Sequence, residues 1–73
     1  LKALGRRKEA ESAYRKALEF DPKFSEAWFN LGNLYRDTRR PVAAIDAYEQ
    51  VVGIGADTGL ATAALEQLKK LKP

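Results

Sequence analysis

The carboxylates Glu9, Glu11, Glu19, Asp46 and Glu49 are the side chains with the acid–base range to do chemistry, and their spacing argues against it. An acid–base dyad needs two such groups held side by side, with their pKa values pushed apart. Here they are strung along the chain without a focus. Glu11 with Arg15, and Glu66 with Lys70, instead follow the i,i+4 order of surface ion pairs on a helix. Histidine and cysteine are absent, which removes the commonest general base, the commonest transition-metal ligand, the thiolate nucleophile and the disulfide framework. No glycine-rich phosphate loop or nucleophile elbow is present. The expectation is a chain without catalytic residues, cofactor or metal.

The other charged groups lead to the same place. Arg6-Arg7-Lys8, Arg36 with Arg39-Arg40, and Lys69-Lys70-Lys72 are basic clusters, but the net charge is only +3. Two clusters are expected at interhelix turns and one at a helix end, so they do not make one strip. Nucleic-acid binding also favours aromatics interleaved with the charges, and the aromatics here lie on apolar stripes. The clusters are read as solvated surface, and no nucleic-acid partner is expected. No apolar run approaches the ~18 residues of a membrane helix, and no signal-peptide pattern opens the chain; no membrane partner is expected, and the compartment is left open, with the cytoplasm favoured. The chain does not begin with methionine, the pattern of a fragment or a trimmed terminus.

The elements that must carry these side chains are all helical. Seventy-three residues suit one small domain, and 45% hydrophobic with 32% charged residues is too rich in core formers for a disordered chain. Ala10, Ala13, Tyr14, Ala17 and Leu18 recur at three- and four-residue spacing and predict a helix over 7–20, begun after Gly5 and ended by Pro22. Trp28, Leu31, Leu34 and Tyr35 define a second over 25–38, with Ser25 as its N-cap. A third starts at Pro41, carries Ala44, Ile45, Tyr48, Val51 and Val52, and is broken by Gly53 and Gly55. The fourth, over 59–71, turns Ala61, Ala64, Leu65, Leu68 and Leu71 inward, with lysines at its C-terminal end. Short connections make successive helices antiparallel.

Sliding the sequence over itself by about 34 residues pairs Ala10 with Ala44, Tyr14 with Tyr48, Ala27 with Ala61 and Leu31 with Leu65. Trp28-x2-Leu31-Gly32-x2-Tyr35, followed by Ala43-Ala44 and Tyr48, matches the W-x2-L-G-x2-Y…A-x3-F signature, with tyrosine for phenylalanine. The chain therefore resembles the tetratricopeptide repeat family. The resemblance implies an all-α fold of antiparallel hairpins stacked as a short right-handed solenoid. Residues 1–24 would be a half-repeat, 25–58 a full repeat and 59–73 a capping helix. Trp28, Leu31, Gly32, Tyr35, Ala44 and Tyr48 are its structural positions, with Gly32 expected to let a helix backbone approach at Ala44. Departures are Ala56, where the unit would end in proline, and Thr62, Glu66 and Lys69, where the next unit would place tryptophan, glycine and tyrosine.

In that family the first helix of each repeat lines a concave groove for an extended peptide or a partner helix. By resemblance the groove face here carries Glu26, Phe29, Asn30, Asn33, Arg36 and Asp37, with Phe29 exposed beside amides that can both donate and accept. Some members grip a chaperone's C-terminal carboxylate with a clamp of lysine, arginine and asparagine. Asn30 matches one asparagine position, but Leu60 and Ala64 stand at the cationic ones, so that clamp is not expected. The implied function is an adaptor for a protein or peptide. The alternative is a structural module that packs on a larger protein or self-associates through the first helix, whose stripe of Ala10, Tyr14, Ala17 and Leu18 lacks a hairpin partner.

Overall fold

A computed structural model describes residues 2–55 and 58–72, with side chains described from Arg6 onward except at Thr58. Leu1, Ala56, Asp57 and Pro73 lie outside the described residues, among them Ala56, which stands in the place of a terminating proline. Four helices follow one another: α1 (Lys2–Phe20), α2 (Ser25–Asp37), α3 (Pro41–Ile54) and α4 (Thr58–Leu71). Each packs on the next, and α2 also meets α4. The fold is an all-α stack of antiparallel hairpins.

Gly5 does not break a helix, because α1 runs through it. A glycine inside a helix costs only about 1 kcal/mol relative to alanine. Arg6-Arg7-Lys8 consequently lies within α1, not at a turn. Gly53 is likewise helical, and α3 ends at Gly55, which takes the left-handed conformation at φ 64° and donates its N–H to Val52 O. Ser25 is not the N-cap either. Phe24 occupies that place, and the Ser25 hydroxyl is buried without a hydrogen-bond partner among the described residues.

The turn between α1 and α2 is fixed by several bonds. Asp21 N–H closes the end of α1 on Ala17 O (2.9 Å), and the Asp21 carboxylate accepts from Lys23 N–H (3.1 Å). The Trp28 indole N–H then donates to Pro22 O (2.8 Å), so the half-buried tryptophan pins the turn from the next helix. Helix α2 ends in a Schellman motif, with Arg40 N–H on Tyr35 O and Arg39 N–H on Arg36 O. Arg39 sits at φ 60°, where glycine is the usual occupant.

Leu31, Tyr35, Ala44, Ala47, Tyr48, Val51, Ala64 and Leu68 form the buried core, with Trp28, Phe29, Leu60 and Leu71 packed against it. Burying a side chain such as Leu31 or Val51 contributes about 1.5–3 kcal/mol. Two stripe residues fall elsewhere than expected. Ala13 is exposed on α1, and Leu65 is 46% exposed on α4. Leu65 stands one repeat after Leu31, which is 2% exposed because the α2–α3 hairpin encloses it. Helix α4 has no hairpin partner beyond it among the described residues. The rest of the α1 stripe, Ala10, Tyr14, Ala17 and Leu18, is partly buried.

Candidate functional site: the groove between α2 and α4

The motif residues build the wall on which the groove stands. Leu31, Gly32, Tyr35, Ala44 and Tyr48 are all buried. Gly32 meets Tyr48, not Ala44: a Cβ placed on Gly32 would lie 2.7 Å from Tyr48 Cε1 and 2.8 Å from Cδ1. The close approach is thus between a helix backbone and an aromatic ring on the facing helix. Burial pushes the Tyr48 phenol above the ordinary tyrosine value, and its O–H donates to the Asn33 side-chain carbonyl. Phe29 meets the Tyr48 ring edge-on, with centroids 5.7 Å apart.

These contacts divide the expected groove residues into two groups. Glu26, Phe29 and Asn30 line an open cleft of 590 Å³, bounded by the 21–25 turn and by Gly59, Leu60 and Ala63 of α4. Asn33 is turned to Tyr48. Arg36 donates to the Gln67 side-chain carbonyl (2.9 Å) and to Asp37 (3.2 Å), tying α2 to α4 below the cleft. Phe29 is partly buried, not exposed as expected, because its ring is shared between the cleft and the core.

The cleft offers graded chemistry. Phe24, Phe29, Leu60 and Ala63 give it an apolar lining. Asn30 supplies an amide able to donate and accept, and Glu26 an exposed carboxylate. Gly59 and Ala63 leave room because neither carries a large side chain. Sequence reasoning did not name Leu60, Ala63 or the 21–24 turn as lining. A signal existed: the shift that pairs the repeats carries Glu26 onto Leu60 and Phe29 onto Ala63. The first is apolar and the second small, whereas the clamp pattern would have placed cations on this helix.

A second polar cluster locks the other side of α2. The Tyr35 hydroxyl accepts from Arg15 (3.1 Å) and donates to Glu11 (3.3 Å), while Arg40 reaches Glu11 at 2.6 Å and lies 4.5 Å from the Tyr35 ring centroid. Glu11 also pairs with Arg15 at 3.2 Å, the i,i+4 contact its spacing predicts. These groups hold α1 onto the α2–α3 hairpin.

The tetratricopeptide repeat model matches residues 1–61, so the chain belongs to the tetratricopeptide repeat family. No curated protein sequence matches it. Among the described residues, no helix is long and apolar enough to cross a membrane.

Proposed function

We propose that this chain is a non-catalytic protein-interaction module whose α2–α4 groove takes an extended peptide or a partner helix. Its family is one of interaction modules generally, and the groove reading rests chiefly on the cleft beside Asn30. There an apolar lining adjoins an amide with no partner among the described residues. Such a surface suits an apolar side chain of a segment whose backbone the amide can address. Arg36 and Asp37 shape the end of the groove through Gln67, and Asn33 and Phe29 support its wall. In this reading residues 25–58 are the full repeat, 1–24 the second half of one and 59–73 the closing helix.

The test is selection of displayed random peptides on the parent chain, followed by affinity measurement on Asn30→Ala and Glu26→Ala. Neither side chain makes a contact that holds the helices together, so folding should persist. Loss of one hydrogen-bonding amide should weaken selected peptides about fivefold. Parent-like affinity in both variants would remove the groove from the proposal.

A second reading, a structural module that packs on a larger protein or a second copy, is favoured by two exposed apolar side chains. Phe20 is 91% exposed at the end of α1 and Leu65 stands open on α4. Light scattering across chain concentration separates the readings: a Phe20→Ser variant more monomeric than the parent supports packing.

A further inference from the structure

Helices α1 and α3 both pack on α2, yet among the described residues no Cα of α1 comes within 8 Å of one in α3. An open cleft of 540 Å³ lies between them, on the side of α2 away from the groove. Leu18, Trp28 and Ala43 give it apolar surface, above the buried Leu31. Because Trp28 has already spent its indole N–H on Pro22 O, the ring offers the cleft no unsatisfied polar atom. Charge enters from both helices: Glu19 of α1 and Asp46 of α3 are exposed lining residues with no partner among the described residues. The cation of the cleft, Arg15, is held by Glu11 and the Tyr35 hydroxyl.

An apolar surface between two unpaired carboxylates is complementary to a particular kind of segment. We propose that this cleft is a second docking site, for a partner protein segment that sets one aliphatic side chain against Trp28 and presents a basic residue to Glu19 and Asp46. Its volume lies in the range of about 300–1,000 Å³ typical of pre-formed ligand sites. Charge complementarity at such a rim chiefly sets the encounter rate and excludes acidic competitors. The α2 positions that line it, Trp28, Leu31 and Tyr35, are distinct from those lining the groove, so both faces of one helix can be engaged together. The proposal does not depend on the groove reading.

Trp28 is the chain's single tryptophan, so its emission reports this cleft directly. The full chain is titrated with a capped Gly-Ser-Arg-Leu-Arg-Ser-Gly peptide and with the same peptide carrying glutamate for arginine. The expected result is a saturable shift in Trp28 emission with the basic peptide and none with the acidic one. Affinity should fall about tenfold in Glu19→Lys/Asp46→Lys, whose exposed sites leave folding intact, and stay unchanged in Asn30→Ala. Three results would overturn the proposal: no response to the basic peptide, equal binding of both peptides, or parent affinity in the charge-reversed variant. An emission shift that follows chain concentration without peptide would also overturn it, because a second copy would then be the occupant.

Discussion

The Tyr48 side chain fills the space that a Cβ on Gly32 would need, with three ring atoms within 2.9 Å of that position. Tyr48 is fully buried and its hydroxyl is fixed on Asn33, so the ring cannot retreat without breaking that bond. Gly32→Leu should therefore destabilise the chain by at least about 1–3 kcal/mol, read as a lower midpoint in urea. A sharper test is the sign of Gly32→Ala. In the parent, overpacking should outweigh the gain in helix propensity. In a Tyr48→Val background the same substitution should stabilise by up to about 1 kcal/mol. Equal effects in both backgrounds would mean the ring is not what selects glycine.

Ser25 separates two accounts of the start of α2. As an N-cap, its replacement by alanine would cost about 0.5–2 kcal/mol. As a first helical residue with a buried, unpartnered hydroxyl, it carries an unsatisfied group worth about 1–3 kcal/mol. Ser25→Ala should thus leave thermal stability unchanged or raise it. A clear loss would restore the capping role.

Arg39 occupies the left-handed position of the α2 Schellman motif at φ 60°. A side chain there is disfavoured by about 1–2 kcal/mol, part of which glycine returns through unfolded-state entropy. Arg39→Gly should raise stability by up to about 1 kcal/mol, with Arg39→Asn in between. A destabilised glycine variant would show that the arginine side chain contributes more than its backbone strain.

The Glu11 carboxyl is held below the ordinary glutamate range, first by the hydrogen bond from Arg40. The charges of Arg40 and Arg15 and the Tyr35 hydroxyl act in the same direction, while desolvation opposes them. A carboxyl lowered in the folded state contributes stability above its unfolded pKa and loses it as pH falls through the folded one. Glu11→Gln should therefore be less stable than the parent at neutral pH and converge with it in acid. A constant gap across the titration would place the cost in packing instead.

Helix number and approximate limits were legible because apolar spacing and Pro22, Pro41 and Gly55 mark them locally. The side on which each residue falls was less so. Phe29 reads as surface from the family pattern, yet Tyr48 draws it inward, a contact set by the hairpin and not by spacing. Glu11 and Arg40 are far apart in sequence, so no local pattern pairs them. Arg39 gives no sign of a left-handed backbone, since only the turn geometry demands it. Of the cleft lining, Glu26, Phe29 and Asn30 stand among the residues the family resemblance implies, whereas Leu60 and Ala63 needed the repeat shift applied to Glu26 and Phe29.

The groove is tested most directly by amide chemical-shift mapping of the labelled chain with a peptide selected on it. The proposed function requires the largest changes at Glu26, Phe29 and Asn30 on α2, together with Leu60 and Ala63 on α4, and little change along α1. Changes centred on α1, around Phe20 and Ala13, with those five amides unmoved, would contradict it.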